Sequence, residues 1–271
     1  MALAVEAQYV GATHDARSAR ATAVMLIDEY KSQFAWRSWP VVFDLLPPLH
    51  GATVLDLGCA LGDQAAALAA RGARVIGVDS DPLLLAHAQA RHIPGAQFLL
   101  GDLNSLPDVG PPLDGIWCSF ATAYLPNLEP SLASWAKRLK PTGWLALTEI
   151  DDLFGHEPIQ PSTRQLLADY ADSACAADGY DFFMGRRLRA HVENAGFHVY
   201  NELTLPDLEF SFLGPAEPPV REAWSARFQR MNGLQHFCGP RFDEVRTDFL
   251  TALAHPEHRS HSKVICCLAT F

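Results

Sequence analysis

No stretch of this sequence approaches the roughly 20 consecutive apolar residues that a bilayer-spanning helix needs, so no membrane association is expected. A basic stripe is missing as well. Lys and Arg number 21 against 31 Asp and Glu, a formal net charge of −10. Proteins that grip DNA or structured RNA through phosphates concentrate positive charge on one face, so nucleic acid is not an expected partner. The short basic groups Arg186-Arg187 with Arg189, and Lys137-Arg138 with Lys140, read as charged helix faces. Six cysteines are present but no C-x-x-C pair. Cys266 and Cys267 are adjacent in an apolar run and would face opposite ways in a strand. That is no disulfide framework, and a reducing compartment is expected. Met1-Ala2-Leu3-Ala4-Val5 has no basic start and is interrupted by Glu6, so no signal peptide is expected and the location is read as cytoplasmic. Repeats and low-complexity tracts are also missing.

What is present is a large apolar fraction, 49%, enough for a sizeable core. Residues 15–46 carry apolar side chains at helical spacing (Ala23, Leu26, Ile27, Tyr30, Phe34); Pro40 sits near the start of a further short helix, and Pro47-Pro48 closes it. An alternation follows. Strands are predicted over 53–57, 74–78, 97–100, 113–119 and 144–150. Helices are predicted over 63–71, from Asp81-Pro82 to about 91, and over 128–139, the last stopped by Lys140-Pro141-Thr142-Gly143. Alternating strands and helices imply right-handed βαβ units and a parallel sheet. The rhythm breaks over 151–183, with one helix over 162–177. A helix over 186–195 ends at Gly196 and a strand spans 197–205. Residues 206–262, rich in Pro, His and aromatics, suggest one or two helices, and 263–270 is a closing strand.

The most telling stretch is Val54-Leu55-Asp56-Leu57-Gly58-Cys59-Ala60-Leu61-Gly62, an apolar run ending in an acid, a glycine turn and a helix. A second run, Val75-Ile76-Gly77-Val78-Asp79, ends in another acid, and Gly101-Asp102-Leu103 closes a third. Gly58 permits a tight turn and lets backbone N–H groups approach a ligand, and the following helix points its positive end there. A dinucleotide loop would need one more residue between its outer glycines, and Asp56 would repel a pyrophosphate. The usual middle glycine is Ala60, tolerable if its φ stays negative.

Three successive strand-end acids followed by Lys140-Pro141-Thr142-Gly143-Trp144 resemble the class I S-adenosylmethionine-dependent methyltransferases of small-molecule type. The resemblance covers 50–200 and, by position, 263–271; residues 1–45 and 206–262 match nothing specific. It implies an α/β fold, a doubly wound, mostly parallel seven-stranded sheet with an antiparallel last strand. The single domain would comprise a helical N-terminal cap (1–48), a cofactor half (50–150), lid insertions (151–185 and 206–262) and the rest of the core (186–205 and 263–271). S-adenosylmethionine would be the cofactor, held by Asp56, Gly58, Cys59, Gly62, Asp79, Ser80, Asp102, Leu103 and Ser119, with Tyr9 folding over it. Tyr30, Arg37 and Trp39 are further candidates for that cover.

The same resemblance implies in-line methyl transfer to an oxygen, nitrogen or carbon of a small molecule by a monomer or homodimer. Glu149, Asp151 and His236 are candidate general bases, and Tyr124, Tyr180 and Phe183 candidate acceptor-pocket residues. The aromatics of 180–183 and 210–242 either line a water-excluding lid or pack the cap onto the sheet. His255, His258 and His261 read as a polar loop, because Pro256 breaks any shared helix face, and no metal is expected. Protein side-chain methylation, non-methylating use of the cofactor and a non-catalytic role stay open as alternatives.

Overall fold

The computed structural model describes residues 27–271 except 28, 126 and 178. Seven strands form one sheet in the order β3-β2-β1-β4-β5-β9-β7. They are β1 (Thr53–Leu57), β2 (Arg74–Asp79), β3 (Ala96–Leu100), β4 (Leu113–Ser119), β5 (Leu139–Asp151), β7 (His198–Leu205) and β9 (Lys263–Thr270). The first five are parallel, and β9 lies antiparallel between β5 and β7. This is the expected sheet. A separate ribbon pairs β6 (His156–Glu157) with β8 (Arg259–Ser260).

The helices are α1 (29–36), α2 (Trp39–Phe43), α3 (Asp63–Ala69), α4 (Pro82–Ala90), α5 (Leu128–Ala136), α6 (Pro161–Ala177), α7 (Met184–Asn194), α8 (Pro218–Arg230), α9 (Asn232–Cys238) and α10 (Phe242–Leu253). No helix among the described residues is long and apolar enough to cross a membrane.

β1 and β4 are buried on both faces, which is why they read as unbroken apolar runs. Side chains alternate between two cores. Leu55, Ile116 and Leu147 pack against Leu132, Trp135 and Leu188 of α5 and α7. Val54, Trp117 and Ala146 face the other core, which holds α3, α4 and the cap aromatics. α4 starts as its sequence demands: the Asp81 carboxylate accepts from the N–H groups of Leu83 (2.8 Å) and Leu84 (3.2 Å), and Pro82 occupies the first turn. The strand order reverses between β1 and β4, so their C-terminal ends diverge and leave a crevice.

The further short helix expected near Pro40 is α2, with Pro40 in its first turn. Two expectations are corrected. Lys140-Pro141-Thr142-Gly143 does not stand outside the strand. Register passes from Leu113↔Leu139 to Gly115↔Trp144, so these residues bulge from β5. Residues 206–262 hold three α-helices, and His258 lies in the core rather than in a polar loop. Its Nε2 is 3.0 Å from Nδ1 of buried His156, and its ring stacks on Phe212 at 4.4 Å. Trp224, Phe228 and Phe249 are fully buried, so much of the aromatic density of this insertion packs the cap.

Candidate functional site

A cavity of about 270 Å³ opens in the crevice. Its floor is the β1–α3 turn (Gly58, Ala60, Leu61) with Asp79, Ser119 and Phe120. Its roof comes from α1 (Glu29, Tyr30, Gln33, Phe34), and its far wall from the cap (Tyr170, Tyr180, Phe182, Phe210, Arg227, Arg230).

The turn is built for close approach. Gly58 has φ 72°, and a Cβ there would meet the Ala121 Cβ at 2.7 Å. Ala60 has φ 44°, not the negative value expected, a conformation that costs an L-residue about 1 kcal/mol or more. Asp79 compensates. Its Oδ2 accepts from the Ala60 N–H at 2.9 Å and its Oδ1 from the Asp81 N–H at 2.9 Å. Phe120, at φ 54°, is a second strained residue on the cavity wall.

Asp56 is buried and does not line the cavity, and its Oδ2 has no hydrogen-bond partner among the described residues. Burial, aided by the charge of Asp79, raises its pKa to about 8. The buried Oγ of Ser80, also outside the cavity lining, lacks a partner among the described residues, whereas the Ser119 Oγ accepts from Gln64 Nε2 at 3.3 Å. The Asp79 carboxylate, the Ser119 hydroxyl and a glycine turn with no room for a Cβ line the cavity and fit a ligand carrying an ammonium group and hydroxyls. S-adenosylmethionine is such a ligand.

Other residues expected here are placed elsewhere. Cys59 points into the core, and its N–H is taken by the Val78 carbonyl at 3.2 Å. Gly62, at φ 75°, owes its identity to the Phe98 ring, 2.7 Å from where its Cβ would stand. Asp102 is exposed and accepts from the Asn104 N–H at 2.7 Å. The Leu103 side chain is buried and its carbonyl accepts from Trp135 Nε1 at 2.9 Å. Neither Asp102 nor Leu103 lines the cavity. Tyr9 lies outside the described residues.

The three candidate bases do not line it either. Glu149 is buried and accepts from Thr122 Oγ1 (3.1 Å), the Ala123 N–H (2.9 Å) and the Ile150 N–H (3.3 Å); burial pushes its pKa to about 7. Asp151 pairs with Arg186 at 2.5 Å, and His236 is exposed on α9. Tyr124 and Tyr180 do line the cavity and meet edge-to-face at 4.8 Å. Phe183 instead lines a second cavity. Tyr30, Arg37 and Trp39 all reach the main cavity as cover residues.

An arginine cluster is the part sequence reading missed. Arg37 pairs with Asp207 (2.9 Å) and Glu209 (2.6 Å), Arg227 with Glu209 (2.5 Å), and Arg230 with Glu29. The guanidinium of Arg37 lies over Phe210 (4.6 Å), and that of Arg227 over Phe210 and Trp224 (5.0 Å each). Arg37 Nε, Arg227 Nε and Arg230 Nη1 have no partner among the described residues. No sequence spacing unites positions 37, 227 and 230; only the fold does. No histidine and no lysine lines the cavity among the described residues. Its carboxylates are otherwise engaged: Glu29 with Arg230, Asp63 with Arg91 (2.7 Å) and Asp79 with the turn. No group of three metal-ligating side chains exists among the described residues.

Residues 54–143 match the family model described as a methyltransferase domain. A trans-aconitate 2-methyltransferase of Methylobacterium radiotolerans is 29% identical over 214 residues, 73% of this chain and 74% of that protein. One of Deinococcus radiodurans is 37% identical over 105 residues, 38% of this chain. That match spans only 40% of the Deinococcus protein. An S-adenosylmethionine-dependent methyltransferase structure from Mesorhizobium loti superposes with a TM-score of 0.51 at 19% identity, over 86% of this chain and 97% of that one. Residues 54–143 thus carry a methyltransferase domain, and the strand order with the antiparallel last strand is the fold of the class I S-adenosylmethionine-dependent methyltransferases.

Proposed function

We propose that this protein transfers a methyl group to a carboxylate oxygen of a small organic acid, giving a methyl ester. The observation that carries the reading is a cavity lined by three arginines, each paired with an acid but keeping one N–H without a partner, and by no histidine or lysine among the described residues. A carboxylic acid with a pKa near about 4 is already ionised, whereas a phenol at about 10 must lose a proton to react well. Guanidinium groups suit carboxylates in charge and in planar geometry. S-adenosylmethionine, when bound, supplies a methyl carbon activated by its positive sulfur, so that forming the O–C bond breaks the C–S bond with no proton to relocate.

The chain's own residues then position and exclude. Asp79, Ser119 and the Gly58–Leu61 turn line the cofactor side, and the strained Ala60 brings its N–H to Asp79. Arg227, buried against Trp224 and Phe210, orients an acid, and Tyr124, Tyr180 and Phe182 keep water from its apolar part. The trans-aconitate names of the two relatives are consistent with an acid as acceptor. The test is to incubate the protein with S-adenosylmethionine and matched panels of carboxylic acids, phenols and amines, following S-adenosylhomocysteine by mass spectrometry. Turnover with acids is expected. Turnover confined to phenols or amines would overturn the reading.

A further inference from the structure

A second cavity, of about 230 Å³, adjoins the first. Its lining is mostly apolar, with Phe154, Ile159, Leu167 and Ala171, and it also includes Asp152 and Arg164. None of the three cavity arginines reaches it. Phe182 lines both cavities.

α6 runs along the pair. Tyr170 and Ala174 line the first cavity, while Leu167 and Ala171 line the second. Positions 167, 171 and 174 follow helical spacing and share one face. Ala171 and Ala174 put little bulk into the seam, while Tyr170 of the same helix turns its ring to the first cavity. The partition falls to Phe182, which is buried and lines both cavities, with Tyr170 behind it. Its ring is fixed by stacking on Phe154 (5.1 Å, 26°) and by edge contacts to Tyr170 (5.5 Å) and Tyr180 (4.7 Å). Its carbonyl accepts from the Asp152 N–H at 3.0 Å, which fixes the backbone beneath it.

We propose that Phe182 is the specificity-determining wall of the acceptor site. Its ring ends the arginine-bearing chamber and limits how long an apolar acceptor can be; the second cavity is the space an acceptor tail would fill without it. This rests on the reading that the acceptor is an organic acid seated in the first cavity.

The experiment measures binding by calorimetry, using full-length protein saturated with S-adenosylhomocysteine. The probes are straight-chain carboxylates from butanoate to decanoate, and the matching alcohols. The proteins are the parent, Phe182→Ala and Phe182→Leu, the leucine variant keeping an apolar core should the alanine variant fold poorly. In the parent, affinity is expected to stop rising partway along the series. In the variants it continues to rise, by roughly fourfold per added methylene, the fold-change equivalent of about 0.8 kcal/mol per buried CH₂. Coincident chain-length profiles for parent and folded variants in both series would overturn the wall. So would a parent profile that rises without a break. If only the alcohols show the shifted profile, the wall stands and the carboxylate reading falls.

Discussion

Glu149 shows how a buried acid at a strand end can look catalytic and act structurally. Its ordinary pKa of 4.5 is raised to about 7 by burial, which outweighs the hydrogen bonds it accepts from Thr122, Ala123 and Ile150. The folded state therefore holds a proton that the unfolded state has released between those two values. The contribution of Glu149 to stability is therefore fully present below about pH 4.5, is lost as pH rises through about 7, and levels off above. Glu149→Gln keeps the Oε1 acceptor without the charge. Chemical unfolding across pH 4–8 should show a shallower decline for this variant, and its methyl-transfer rate should stay within about threefold of the parent. A hundredfold loss would return Glu149 to the role of base. Asp79→Ala has the opposite profile. The variant loses both the ligand-facing acid and the anchor of Ala60, so S-adenosylmethionine affinity measured by calorimetry should fall by at least about tenfold, the equivalent of one charge-assisted hydrogen bond. It should still unfold cooperatively, and unchanged affinity would remove Asp79 from the site. The strand-end positions of Asp56 and Asp79 were legible because each closes an apolar run, Asp56 just ahead of a glycine turn. The arginine cluster was not, since its members and their acids come from positions 29, 37, 207–209 and 227–230 and each alone reads as a solvated charge.

At the scale of elements, α1 is fastened over the cavity by charge. Glu29 joins it to α8, and Arg37, just beyond its end, joins it to the loop of Asp207 and Glu209. The Arg37 side chain is 4% exposed and its two acids 0%. Removing one partner of such a group leaves charge uncompensated in a poorly solvated place. Arg37→Ala should cost about 3 kcal/mol or more in urea unfolding, while exchanging the exposed Arg164, paired with Glu157, should cost less than about 1 kcal/mol. The strands β1, β4 and β9 fall where their apolar runs place them, because a strand covered on both faces leaves that plain mark. The insertion hid its helices for a related reason. Val220, Trp224 and Phe228 of α8 have helical spacing, but Pro218 and Pro219 ahead of them and further aromatics around them blur it. The bulge at Lys140–Gly143 looked like a loop because Pro and Gly mark turns and bulges alike.

For the molecule as a whole, the cavity joins roof, floor and far wall, so a ligand held there stabilises all three together. S-adenosylhomocysteine at about 100 times its dissociation constant should add about 2.7 kcal/mol, and raise the midpoint of thermal unfolding by roughly 5–10 °C in calorimetry. Arg227→Ala, which keeps the turn and its acids intact, should retain most of that shift while losing turnover of acids by at least about tenfold. The place of β9 has a bearing on synthesis. It is the latest of the seven strands in the sequence, yet it fills the slot between β5 and β7, bonded to both along their length. A chain still emerging from the ribosome thus carries a five-stranded sheet whose β5 edge is open and a single strand, β7, with nothing to pair with. The sheet closes only when β9 arrives, and until then each nascent copy offers its neighbours the edge on which aggregation starts.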